Sequence, residues 1–298
     1  AVYNKGNQKY PTSNPTFLYE AHLLENQQSD NQFKRKLADR FRNNISVPNL
    51  KSGVEGIDTL ADKLAEYNID DIITTNVDRG IEIILCEKNG YKELMPEDAG
   101  CDVSEKVYSV RRKIGLKRGR HELSIWKIHG DIDNIASMSL GFDQYCGSLA
   151  KLENYLKGMY YSSTGIECKK SIWKKCLENT SVNNGGSFDG ISWVELFFNS
   201  NVYIAGFGLD FAEIDIWWLL NKRKRMIKQG IPIQNRIVYL YSSFDYVVSN
   251  VSEHLSEEDR HKNRLFDEKK TMLDIFGVEC KEIEAGKRFI SSIFEAIN

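Results

Sequence analysis

Three short clusters in this sequence combine residue types that could do chemistry: Thr74-Thr75-Asn76-Val77-Asp78, His129-Gly130-Asp131 and Gly206-Phe207-Gly208-Leu209-Asp210. Each follows a short apolar run that reads as a buried strand. In an open parallel sheet, ligands bind outside the carboxyl ends of the strands, where the strand order switches. Taken singly, each cluster has a plainer reading. Asn76 or Asp78 could cap the following helix, and Asp210 the helix expected to start at Phe211. His129 before a glycine could be a satisfied structural histidine. Gly206 and Gly208 lack the third glycine of a dinucleotide fingerprint. Together, at successive strand ends, the three clusters favour a nucleotide site.

The elements that must position them follow from hydrophobic periodicity. Residues 1–16 form an irregular lead-in with Pro11 and Pro15 as breakers. Helical spacing recurs from Phe17 to about Asn43, and again from Val54 to Tyr67. Ile69 to Thr75 is a β-branched strand, followed by an apolar helix from Gly80 to Cys86. Residues 88–121 are polar and irregular, and their basic stretch from Arg111 to Arg120 reads as a solvated surface hairpin, with a nucleotide-phosphate patch as the alternative. Strands are predicted at Leu123 to Ile128, Asn201 to Ala205, Arg236 to Tyr241 and Val278 to Ile283. Helices are predicted at Leu149 to Tyr160, Ile172 to Leu177, Phe211 to Lys228, Lys262 to Phe276 and Lys287 to Ile297. This alternation implies an α/β fold, a Rossmann-like parallel sheet with helices on both faces. Residues 1–50 form a mostly helical lead-in. Residues 51–298 form the main domain, with a smaller helical insertion at about 145–195 and a Gly/Asn/Ser loop, Ser181 to Gly190, as its flexible part. Trp217-Trp218 and Leu219-Leu220 read as core or as an oligomer face.

Composition narrows the classes. Forty Lys plus Arg against 42 Asp plus Glu argue against a protein built to coat nucleic acid. The most apolar stretch, Val202 to Leu220, is interrupted by Asp210, Glu213 and Asp215, so no membrane span is expected. The polar N-terminus carries no signal-peptide run. Six cysteines occur without a C-x2-C or C-x4-C pair, which excludes a zinc ribbon and points to reduced thiols in the cytoplasm. The five histidines show no H-x3-H pattern of a metal hydrolase, and no acidic partner follows the glycine turn at dehydrogenase spacing.

TTNVD after a strand, IHG after a later one and GFGLD before a helix resemble the sirtuin superfamily. There the matching motifs read T-Q-N-hydrophobic-D, hydrophobic-H-G and a glycine/serine turn. Two threonines before the asparagine, and an acidic residue after the glycine turn, are closer to the prokaryotic sirtuin-like domains of antiphage defence systems, which hydrolyse NAD. Asp143-Gln144-Tyr145 is similar to the aspartate–tyrosine element that follows the histidine motif in that group. The likeness runs from about Ile57 to Ile297.

The resemblance implies an NAD glycohydrolase that depletes NAD, with a homo-oligomer or a partner protein of a defence complex around it. In that reading Asn76 orients the nicotinamide ribose or the attacking water, His129 is the base, and Asp78 ties down the nicotinamide side or the Asn76 loop. Thr74 and Thr75 supply hydroxyl contacts, Gly206 and Gly208 let backbone amides approach the adenosine half, and Asp210 sits near a ribose hydroxyl. Two departures stand out. The four-cysteine zinc module of deacylating sirtuins is missing, so no metal is expected. The glycine-rich first turn that holds the diphosphate has no counterpart in residues 1–50. The expectation is therefore a sequence shortened or interrupted near its start, or nucleotide held by another route. A catalytically idle NAD or ADP-ribose sensor, and a zinc-independent deacylase, are the alternatives.

Overall fold

Asn14 starts the first helix: its side chain accepts hydrogen bonds from the backbone N–H groups of Thr16 and Phe17, with Pro15 in the first turn. The computed structural model describes residues 14–44, 56–96, 109–162, 165–179, 188–242, 245 and 256–297. The N-terminal helical run is two helices, α1 (Pro15–Asn26) and α2 (Asp30–Asn44), broken where Gln27 turns left-handed. The Gly/Asn/Ser loop falls almost wholly outside the described residues.

The fold is mixed α/β, with ten α-helices among the described residues and strands running both parallel and antiparallel. After α3 (Leu60–Glu66), β1 (Asp71–Thr74) leads into α4 (Gly80–Asn89), which ends on left-handed Gly90. β2 (Lys92–Glu93), β3 (Lys113–Arg118) and β4 (His121–Lys127) follow. These four strands form one sheet in the order β1-β4-β3-β2, with only the β1–β4 pair parallel. A second sheet of β7 (Val202–Ala205), β8 (Ile237–Tyr241) and β9 (Glu279–Glu282) is parallel throughout. The expected single parallel sheet is thus two sheets among the described residues.

The first sheet turns mixed because residues 113–127 form a tight hairpin through Gly119 and Arg120. Leu116 and Leu123 pair across it, fully buried. The basic stretch is accordingly less solvated than its composition implies: Arg111 and Arg112 are buried. Lys117 and Arg118 are exposed and pair with Glu122 and Asp62.

The expected helical insertion holds α5 (Phe142–Lys157), a small hairpin of β5 (Tyr160–Tyr161) and β6 (Glu167–Cys168), α6 (Ile172–Asn179) and the start of α7 (Trp193–Asn199). It packs into the main core and not apart from it. Leu152, Tyr155, Ile172, Cys176 and Val194 share one cluster with Trp126 of β4, Ile204 of β7 and Tyr239 of β8. Trp217, Leu219 and Leu220 of α8 (Ile214–Lys228) complete that cluster, so this run is core. Burying each such side chain fully contributes about 1.5–3 kcal/mol. α9 (Glu257–Ile275) covers β8 and β9, and α10 (Phe289–Ile297) lies on the opposite face.

Candidate active site

The loop between β1 and α4 is pinned at several points. Thr74 is buried at the end of β1, and its Oγ1 accepts from the Asn76 N–H at 3.1 Å. Its carbonyl accepts from Ile128 N–H at 3.1 Å, and the Val77 carbonyl from Ile132 N–H at 3.0 Å. Val77 is buried against Ile132 and Met138, while Asn76 beside it is exposed. Asp78 braces the turn into α4 by accepting from the Gly80 N–H at 2.8 Å, so its carboxylate has a local structural job, though Arg79 stands at the cap position.

Beneath the loop, buried Lys127 donates to the Asp78 carbonyl and lies 3.1 Å from Glu82. Burial pushes the Glu82 carboxyl upward, against the pull of Lys127. Arg79 reaches out from the same turn to Glu93 at 2.6 Å and Asp133 at 2.9 Å.

His129 follows β4 and is buried, its carbonyl accepting from the Ser139 N–H at 2.9 Å. The next residue must be glycine. Gly130 has φ +96°, and a Cβ there would stand 2.3 Å from the Ser137 carbonyl oxygen. The chain turns at this left-handed glycine, and the imidazole before it meets the start of α8.

There His129 Nε2–H donates to an Asp215 carboxylate oxygen at 2.9 Å, and Nδ1 lies 3.7 Å from Glu213. Tyr145 of α5 packs its ring edge-on to the imidazole, with centroids 5.5 Å apart. Burial alone would lower the His129 pKa, but the Asp215 and Glu213 carboxylates outweigh it and hold it above the usual imidazole value. Burial opposes ionisation of Asp215, yet His129 and the Ile216 N–H hold its pKa below the usual carboxylate range. Glu213 moves the other way: burial raises it, and Asp215 and Asp210 add to the rise. The Tyr145 hydroxyl is also pushed up, by burial and then by Glu213 and Asp215. The shifts of His129 and Asp215 thus both favour their ion pair, and Glu213 beside them is held less acidic than an ordinary carboxyl.

His129, Glu213 and Asp215 each present one donor atom, all within 4.8 Å of one another, so these side chains could hold a cation. The cysteine spacing had spoken only to thiolate sites. Such a trio built around one histidine lies outside its reach.

The glycine turn between β7 and α8 is shaped by local bonds. Leu209 adopts a left-handed conformation and is fully buried. Gly208 carbonyl accepts from Lys269 Nζ at 2.8 Å, and the Asp210 carbonyl from Trp217 Nε1 at 3.0 Å. The exposed Asp210 carboxylate accepts from the Ala212 N–H at 2.8 Å. The helix starts at Ile214 and not at Phe211, so Asp210 braces the turn ahead of it instead of capping it.

The structure therefore joins the asparagine and histidine loops through the β1–β4 ladder and the Val77–Ile132 bond. It joins the histidine loop to the helix after the glycine turn through Asp215. Among the described residues, Gly206, Gly208 and Asp210 themselves make no hydrogen bond to His129 or Asn76. Glu213 and Asp215 went unread as site residues in the sequence, although two carboxylates in an otherwise apolar run are a signal that at least one must find a partner.

A cavity of about 320 Å³ opens beside the histidine loop between Arg79, Arg112, Lys113, Asp131 and Asp133. A larger one, about 710 Å³, lies along α9 near Phe211. Neither is lined by Asn76 or His129. No protein-family model matches this chain, and no curated protein matches its sequence.

Proposed function

We propose that this chain is an NAD glycohydrolase of the sirtuin-like type, which cleaves NAD with water to nicotinamide and ADP-ribose. Its setting would be the cytoplasm, in an antiphage defence assembly that works by NAD depletion, as a homo-oligomer or with a partner protein. What supports this most is His129: a buried imidazole held by Asp215 on the loop next to that of the exposed Asn76.

Cleavage of the nicotinamide–ribose bond builds oxocarbenium character at the anomeric carbon. The leaving group is already cationic, so departure as neutral nicotinamide needs no acid. In this proposal the Asn76 amide orients the ribose or the water, and neutral His129 takes the proton as water attacks. Asp215 holds the ring in one orientation and stabilises the imidazolium that results, as in other histidine–carboxylate pairs. Thr74 and Thr75 border the ribose, and the Gly206–Asp210 turn borders the adenosine half. Asp78 acts through the turn it braces.

A second reading has one observation in its favour. Both His129 nitrogens face carboxylates, which favours the charged ring that cannot act as a base. A site locked in that state would bind NAD or ADP-ribose as a sensor or scaffold without cleaving it.

Incubation of the purified chain with NAD, with and without an acetylated peptide, separates these cases. Nicotinamide release without peptide supports the hydrolase. Binding without release supports the sensor, and release that requires peptide supports a deacylase.

A further inference from the structure

The two nitrogens of His129 meet their carboxylates at different distances. Nε2 lies 2.9 Å from Asp215 Oδ2, a closed hydrogen bond. Nδ1 lies 3.7 Å from Glu213 Oε2, too far for one. That second oxygen is buried and has no hydrogen-bond partner. Glu213 stands at the cap position of α8, yet its side chain makes no capping bond. A buried carboxylate oxygen without a donor is costly, and it marks a place where positive charge is wanted.

The wider gap has the dimensions of a metal bridge. Zinc binds an imidazole nitrogen at about 2.0–2.1 Å and a carboxylate oxygen at about 2.0–2.2 Å. Two such bonds span the 3.7 Å between Nδ1 and Oε2. They would meet at roughly 120°, a workable angle for a four- or five-coordinate ion. Asp215 brings a further carboxylate oxygen within 4.8 Å of a donor atom on each of the other two residues. Charge matches as well: two carboxylates and a neutral imidazole balance a divalent ion, whereas a single proton leaves one negative charge over in a buried place.

The imidazole is already held as a metal ligand would be. A metal-binding histidine nearly always donates its other ring N–H to a carboxylate, carbonyl or water, which fixes the tautomer and aims the free nitrogen. Asp215 does this for His129. The other Asp215 oxygen accepts from the Ile216 N–H at 2.9 Å, so the orienting carboxylate is itself fixed. Tyr145 packs edge-on to the ring and restrains it. The His129 and Asp215 side chains are 6% and 3% exposed, but that of Glu213 is 21% exposed, so an ion has a way in from the Glu213 side.

We propose that His129 Nδ1 and Glu213 Oε2 bind a divalent transition-metal ion, with Asp215 orienting the ring and water completing the coordination. The mixed nitrogen and oxygen donors select zinc and ions like it over magnesium or calcium, which take oxygen donors. The site does not rest on the NAD reading, and its test does not use activity. For that reading its consequence is inhibition. With Nδ1 on the ion and Nε2–H on Asp215, the ring keeps no lone pair for the proton of an attacking water. The ion-free form is then the active one.

Calorimetric titration of the chelator-treated full chain with zinc chloride tests the site. The wild type should bind a single ion per chain. Glu213→Gln keeps the shape of a side chain that makes no hydrogen bond, so it should fold as the wild type does. Its zinc affinity should fall by about 100-fold or more, and that of Asp215→Asn by about 10–100-fold. Cobalt(II) bound in place of zinc should show no thiolate charge-transfer band, which separates this site from the cysteines. Three results would overturn the proposal: no zinc bound by the folded wild type, unchanged affinity in Glu213→Gln, or a thiolate band on the bound cobalt.

Discussion

His129 and Asp215 stand 86 residues apart in sequence and 2.9 Å apart in space, both buried. The contact ties the loop after β4 to the start of α8 and biases the imidazole toward its charged form. A base must be neutral to accept a proton, so hydrolysis should rise with pH through a midpoint above the usual imidazole value of about 6.5. Asp215 raises that midpoint more than Glu213 does. In Asp215→Asn the rising limb should move to lower pH, and in Glu213→Gln it should move less. A pH–rate profile unchanged in Asp215→Asn would remove His129 from the base role.

The same pair makes a stability prediction. The raised pKa of His129 contributes stability that is present below its unfolded value and lost as pH rises through the folded one. The lowered pKa of Asp215 contributes stability present above the unfolded carboxylate value and lost as pH falls through the folded one. The two windows overlap between about pH 4 and 6.5. Urea unfolding should show the largest gap between wild type and His129→Gln in that window, and a narrowing gap on the alkaline side.

Asn76 and His129 are expected to matter for turnover more than for folding. Asn76→Ala and His129→Ala should each reduce NAD cleavage by about 100-fold or more. Asn76 is exposed, so its variant should unfold at the wild-type temperature. Near-normal turnover in both variants would exclude the assignment.

Lys127 and Glu82 form a buried pair under the asparagine loop. Removing one partner strands a charge in the interior. Lys127→Met should therefore cost about 3–5 kcal/mol, and replacing both partners by apolar residues should cost less. Denaturant melts of the single and double variants check this.

Gly130→Ala should be the most damaging glycine change near the site, because the backbone is left-handed there and the carbonyl of Ser137 occupies the place of a Cβ. A loss on the order of 3 kcal/mol follows from the combined strain and crowding. Gly208→Ala, with open space around it, should be nearly silent in the same melt.

The sequence was most legible where apolar runs were short and sharply bounded. β1, β4, β7 and β8 lie within a few residues of their expected places, because each is rich in β-branched or aromatic residues between polar breaks, and β9 does so because Val278 and Ile283 bracket it. β3 was hidden by its own charges: Lys113, Lys117 and Arg118 flank the buried Gly115 and Leu116 and give the look of a solvated turn. α7 went unread because its seven residues are too few to show a helical period. The nearness of the asparagine and histidine loops was legible, since both end strands of one sheet. Asp215 was visible only as an interruption of an apolar run. Which partner a buried aspartate finds is decided by where the start of α8 meets the loop after β4, and no local pattern carries that information.

The central claim is that this chain breaks the nicotinamide–ribose bond of NAD with water. The most direct test is chromatographic measurement of products after incubating the purified protein with millimolar NAD, without any peptide. The account predicts nicotinamide and ADP-ribose in equal amounts, formed by the wild type and not by His129→Ala. NAD recovered intact from a folded wild-type protein that binds it would contradict the account and leave the site a sensor.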